Sequence, residues 1–150
     1  MNERGRVAMT PEEVTDLLAK ARKVQIATIN RDGTPHLVAM FYALLDGRIA
    51  FWTYRASQKA RNLARDPRLT CLVEDGEDYF ELRGVQMAGV VRRVDDTPAV
   101  AQVGQLIAAR LTGVPAGTVD DYVLQAARKR AAYFVEPERI TSWDHRKLLA

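Results

Sequence analysis

The chemistry of this chain concentrates in one octapeptide, Trp52-Thr53-Tyr54-Arg55-Ala56-Ser57-Gln58-Lys59. A strand ends at Tyr54, two residues turn, and Ser57 caps the start of a helix. The unpaired N–H groups at such a start, with the positive end of the helix dipole, form a natural seat for a phosphate. Ser57 adds a hydroxyl, while Arg55 and Lys59 flank the seat with charge-assisted donors. The same residues also read as a capped surface helix carrying ordinary solubilising charges. Taken alone, they leave both readings open.

Other chemistries find less support. His36 and His145 are the only histidines and Cys71 the only cysteine, too few for a convincing metal cluster. Cys71 lies in the apolar stretch Leu69–Val73 and reads as a small core residue without an internal disulfide partner. His36 reads as a polar residue at a strand edge. Glu74, Asp75, Glu77 and Asp78 crowd a turn without the spacing of a calcium loop. No Ser/His/Asp arrangement with hydrolase spacing is present, and no side chain is nominated as an obligatory general acid.

The elements that must position the octapeptide follow from periodicity. Thr10-Pro11-Glu12-Glu13 forms a capping box, and Val14, Leu17, Leu18 and Ala21 continue an amphipathic helix to about Arg22. Val24, Ile26 and Thr28 alternate as a strand ending at Asn30–Gly33. His36–Leu45 and Arg48–Tyr54 are strands joined by Asp46-Gly47, a strong hairpin signal. Ser57–Asp66 switches to helical period, with Ala60, Leu63 and Ala64 on one face, and Pro67 ends it. Leu69–Val73 and Tyr79–Val94 are strands, the latter with a phase slip at Gly84 that predicts a bulge. Helices are expected from Thr97 to about Leu111 and over Val119–Arg130, with a loop at 112–117. Ala131–Val135 reads as a strand broken by Pro137, with Arg139–Trp143 an optional last short one. The pattern predicts an α+β, mainly β domain: a six-stranded antiparallel split β-barrel with flanking helices.

The 150 residues fit one domain, with residues 1–8 read as a frayed extension. The 22 basic residues exceed the 19 acidic ones by 3, but they are scattered, which argues against nucleic acid. Apolar runs such as Leu37–Leu45 are too short to span a bilayer. The amino terminus lacks the apolar stretch of a signal peptide, and the lone cysteine suits a reducing compartment, so a cytoplasmic location is expected.

Several of these stretches together resemble the pyridoxamine-phosphate-oxidase-like split-barrel superfamily of flavin and deazaflavin proteins. They are Asp32-Gly33-Thr34-Pro35-His36, Phe51-Trp52-Thr53, Ser57-Gln58-Lys59-Ala60-Arg61-Asn62-Leu63, Asp66-Pro67-Arg68 and Leu82-Arg83-Gly84, and they cover nearly the whole chain. The resemblance implies that Ser57 and Lys59 hold a cofactor phosphate, with Arg55 and Gln58 beside them and Thr53 on the polyol chain. It places Met40 and Trp52 near the cofactor ring, with Asn62 supporting the helix. It also implies a homodimer with shared sites, to which Trp143 through Arg146 would reach from the partner subunit.

Within that superfamily the branch is set by departures. The second strand, Leu37–Ala43, lacks the basic pair usual in vitamin B6 oxidases, and the Ser142-Trp143-Asp144-His145-Arg146-Lys147 ending is more similar to enzymes of coenzyme F-420. The expected activity is therefore hydride transfer from reduced F-420 to an electron-poor small molecule such as a quinone, enone or tetrapyrrole. Arg61 and Arg65, on the outer face of the helix, are candidates for an acidic cofactor tail or a solvated pair. The alternatives are an FMN-dependent oxidoreductase on the same barrel, and a protein that binds flavin, F-420 or haem without turnover.

Overall fold

A computed structural model describes residues 2–111 and 113–150. Met1, within the expected extension, and Thr112, within the expected 112–117 loop, lie outside the described residues. Seven strands form one antiparallel sheet: β1 (Lys23–Ile29), β2 (Pro35–Phe41), β3 (Ala43–Leu45), β4 (Arg48–Tyr54), β5 (Arg68–Asp75), β6 (Arg83–Val94) and β7 (Arg130–Asp144). Their spatial order is β2-β1-β5-β6-β7-β4-β3. The helices are α1 (Glu3–Val7), α2 (Pro11–Lys20), α3 (Gln58–Arg65), α4 (Thr97–Ala109) and α5 (Asp120–Ala127), with 3-10 turns at Tyr79–Glu81 and His145–Leu148.

The sheet is curled, and its ends show why. β2 and β3 lie at opposite edges, yet only Tyr42 separates them in the chain. One residue spans a few ångström, so the sheet must bend round until its edges meet. Tyr42 is the hinge of that closure. It is buried, its N–H donates to the Arg22 carbonyl, and its hydroxyl donates to the Leu18 carbonyl at 2.5 Å. Arg110, from the end of α4, stacks 4.5 Å over the Tyr42 ring. Its guanidinium donates to the carbonyls of Tyr42, Leu18, Ala19 and Ala21, tying α2 and the hinge together.

Two cores result. Inside the curl, Val24, Ile26, Phe51, Cys71, Val85 and Tyr133 pack together, with the Phe51 and Tyr133 rings stacked at 5.2 Å. Outside it, α4 and α5 cover the other face of β4 and β7 around Trp52, Val100, Val103 and Phe134. The alternation of β4 sends Phe51 and Thr53 to one side and Trp52 and Tyr54 to the other.

Four expectations need correction. The sheet has seven strands rather than six, because His36–Leu45 splits at Tyr42 into strands that pair with different partners. Ala131–Val135 and Arg139–Trp143 are one strand, β7. Pro137 is accommodated at a register shift opposite Ala88 and Gly89, so the bulge lies there and not at Gly84. A proline lacks the ladder donor, and an irregularity is where a strand can carry one. Gly84 instead makes room for an indole: a Cβ there would lie 2.2 Å from Cζ2 of Trp143. Tyr79–Glu81 is a 3-10 turn rather than the start of a strand.

The amino-terminal segment also differs from a frayed extension. Glu3–Val7 is helical, Val7 is buried, and α1 packs on the carboxyl-terminal 3-10 turn. The two chain ends fasten each other. The Met9 N–H donates to Ser142 Oγ, while Lys147 donates to the Ala8 carbonyl and pairs with Glu13 at 2.8 Å. No helix among the described residues is long and apolar enough to cross a membrane.

Candidate functional site

α3 leaves the end of β4 through a tight turn, in which the Ser57 N–H donates to the Tyr54 carbonyl. Ser57 is the N-cap, its Oγ accepting from the Ala60 N–H at 3.2 Å and lying 3.3 Å from Thr53 Oγ1. The N–H groups of Gln58 and Lys59, in the first helical turn, have no intrahelical acceptor. Thr53, Ser57, Gln58 and Lys59 thus surround one helix start.

Lys59 is the most telling of them. It is half-buried and makes neither hydrogen bond nor ion pair among the described residues. Burial, and then the positive charge of Arg130, push its ammonium below the usual lysine range. Proteins seldom bury a cation without a counter-charge unless a ligand brings one. Arg130 itself stands opposite Tyr54 in the β4–β7 ladder. Its guanidinium lies 4.5 Å over the Trp52 ring and 4.3 Å over the Tyr54 ring, and its Nε is buried without an acceptor.

A second concavity opens beside the same helix start. Gln58, Asn30, Arg31, Asp32 and His36 line a cleft of about 490 Å³, with His36 contributed by β2 at the sheet edge. His36 is half-buried, and its Nδ1 has no hydrogen-bond partner.

Over residues 10–144 the chain matches the family model described as pyridoxamine 5'-phosphate oxidase. The chain belongs to that family. The cations without partners among the described residues at the start of α3 would suit the phosphate of a flavin-type cofactor. A conserved hypothetical protein from Mycobacterium tuberculosis is similar at 41% identity, with 100% of this chain and 94% of that one covered and a TM-score of 0.91. An F-420 reductase is similar at 25% identity, covering 88% and 98% of the two chains with a TM-score of 0.67. The haem storage protein HutZ from Vibrio cholerae shares the fold at 17% identity, covering 88% and 94% with a TM-score of 0.69. No curated protein matches the chain.

The remaining family candidates fall in several places. Asn62 is fully buried and fully occupied: it donates to Thr28 Oγ1 and Asn30 Oδ1 and accepts from Gln58 and Arg65. It locks α3 onto β1. Arg65 is no free surface charge, since it also donates to the Ile29 carbonyl at 2.6 Å, while Arg61 donates to Gln58. Asp66 accepts from the Arg68 N–H and guanidinium, and Arg68 holds its carboxyl down at about 2. The Asp-Pro-Arg motif is thus the clasp that ends α3.

Arg55 points away from the helix start. It donates to Asp95 Oδ1, the Asp95 carbonyl and the Arg128 carbonyl at 3.1–3.3 Å, bracing the loops after β6 and α5. Trp52, expected beside the cofactor ring, is buried in the outer core, where a Cβ at Gly104 would touch its ring at 2.5 Å. α4 packs against the benzo end of the indole, and the Arg130 guanidinium lies over the ring. Met40 is half-buried against the inner core.

Trp143 and Arg146 have partners within their own chain. The indole lies over Gly84 on β6, and Arg146 forms a two-pronged pair with buried Asp144 at 2.9 and 2.7 Å. Arg146 in turn holds the Asp144 carboxyl below its usual range. Sequence reasoning overlooked Arg130. Its position is set by strand register across the sheet, a signal that local spacing does not carry.

Proposed function

We propose that this chain binds a phosphorylated flavin-type cofactor at the start of α3 and works as an oxidoreductase on a small electron-poor substrate, with F-420 as cofactor and FMN as the alternative. The observation that carries the reading is Lys59, a half-buried cation without a partner among the described residues, in the first turn of a helix capped by Ser57. Bound F-420 supplies the hydride chemistry. The chain's own residues do the holding. Lys59 meets the phosphate charge, Ser57 and the free N–H groups of Gln58 and Lys59 complete its hydrogen bonds, and Thr53 lines the approach.

A dimer is part of the proposal. The outer face of β2, β1, β5, β6 and β7 carries two cross-strand rows, Leu37-Ala27-Thr70-Ala88-Arg139 and Ala39-Gln25-Leu72-Gln86-Thr141. Leu37 at the edge is 67% exposed, and Phe41 on the same face is 48% exposed. A sheet surface of this breadth, apolar and polar with Arg139 the one charge in these rows, suits a second copy of the chain, which would also wall the cofactor groove.

Titration of the purified protein with F-420, FMN and haem, followed by turnover with quinone and enone acceptors, tests the reading. Tight F-420 binding with oxidation of its reduced form by an acceptor supports it. FMN binding without F-420 binding would move the cofactor to the alternative. Binding without consumption by any acceptor would make the chain a carrier.

A further inference from the structure

We propose that Arg130 is the second cationic arm of the α3 site and grips the same phosphoryl group as Lys59. The inference rests on the phosphate reading above and extends it to a residue far away in sequence.

Ladder geometry sets the position. Tyr54 pairs with Arg130 across β4 and β7, and Ser57 is tied to the Tyr54 carbonyl, so the start of β7 lies beside the start of α3. The guanidinium is stacked on two aromatic faces, Trp52 at 4.5 Å and Tyr54 at 4.3 Å. Such stacking fixes the plane of the fork and leaves its N–H donors to be met in that plane. Nothing in the chain meets them: Nε is buried without an acceptor, and the side chain has no ion pair or hydrogen bond among the described residues.

The carboxylate of the adjoining loop does not serve. Asp95 is already held by Arg93 at 2.9 Å and by Arg55 at 3.3 Å. Two cations therefore stand together, uncompensated and pre-oriented, at a helix start that itself favours an anion. A structural arginine would be expected to satisfy its own donors, as Arg110 does with four carbonyls. A planar fork held for a tetrahedral oxyanion explains both the stacking and the unmet donors.

The shared ligand chemistry is a phosphoryl group, which FMN carries as a monoester and F-420 as a diester. Wild type, Lys59→Gln, Arg130→Gln and Arg130→Lys are to be titrated with FMN and riboflavin, and with F-420 and its phosphate-free deazariboflavin core, alongside melting curves. Arg130→Gln should weaken the phosphorylated member of a pair tenfold or more and leave the phosphate-free member unchanged. The pair in which the loss occurs identifies the source of the phosphate. Arg130→Lys keeps the charge but loses the fork, so it should show a smaller loss of at least threefold, and it carries the test if the Gln variant does not fold. A preference for phosphorylated ligand lost in Lys59→Gln but intact in both Arg130 variants would overturn this inference alone, leaving Arg130 a packing residue. A wild-type protein without any preference for the phosphorylated ligands would overturn the phosphate site and this inference together.

Discussion

At the scale of single residues, the uncompensated charge of Lys59 links stability to binding. Its ammonium titrates below the lysine value of the unfolded chain, so its charge destabilises the apo protein while both states are protonated. The penalty is present at neutral pH and fades as pH rises through the lowered folded value, where the folded state sheds the proton first. Lys59→Gln is expected to melt at or above the wild-type temperature at pH 7 and to lose that advantage at alkaline pH. The same variant should bind the cofactor at least tenfold more weakly, which corresponds to about 1.4 kcal/mol. Melting curves across pH, paired with ligand titration, check both halves; a destabilised variant with intact affinity would contradict them. Cys71 makes the opposite case. Burial pushes its thiol up to about 12, so thiol reagents should leave it unmodified at pH 8 until the protein unfolds.

At the scale of elements, α3 is held in place by polar contacts more than by its short apolar face. Asn62 joins α3 to β1 and the turn after it by donating to the Thr28 hydroxyl and the Asn30 amide oxygen. Replacing it with Ala leaves the Thr28 hydroxyl buried without that partner, at a cost of about 1–3 kcal/mol for each polar group so stranded. Urea denaturation should show that loss, and cofactor affinity should fall with it because Gln58 and Arg65 lose their anchor. Ser57→Ala removes a cap worth about 1 kcal/mol and, with it, a hydroxyl at the helix start. On the sheet, Gly84→Val drives a side chain into the Trp143 indole. It should destabilise by about 1–3 kcal/mol, the usual scale for forcing extra carbons into a filled space. An unchanged midpoint for Gly84→Val would mean that the indole moves aside without penalty.

For the whole molecule, the two chain ends and the open sheet face matter most. Deleting residues 142–150 removes the Trp143 indole, the Asp144–Arg146 pair and the Lys147 clasp on α1 and α2 in one step. A clear fall in melting temperature is expected, since these contacts close one end of the barrel. If dimer dissociation and cofactor affinity change as well, the tail has a role beyond its own chain. The outer sheet face gives a cleaner test of assembly. Leu37→Lys combined with Leu72→Glu places a charge at the exposed edge of one cross-strand row and another in the centre of the second, and light scattering should then read a monomer where wild type reads a dimer. A wild-type monomer at micromolar concentration would remove the shared-site model.

The sequence by itself determined the local events: the capping box at Thr10, the Asp46-Gly47 hairpin, the helix start at Ser57 and its stop before Pro67. Each depends on neighbours within a few residues, where backbone preferences and side-chain caps act directly. It also determined the family, because the Ser-x-Lys-x-x-Asn-Leu spacing and the Asp-Pro-Arg clasp are local as well. How distant segments meet came from the packing of the whole sheet. Strand register brought Arg130 to Lys59, turned Arg55 away toward Asp95, and set the Trp143 indole on Gly84. Tyr42 split one apolar run into two edges of a curled sheet, which no alternation pattern within that run could reveal. Register is a property of pairs of strands, fixed by the packing of both faces at once, and a single strand's sequence holds only half of it.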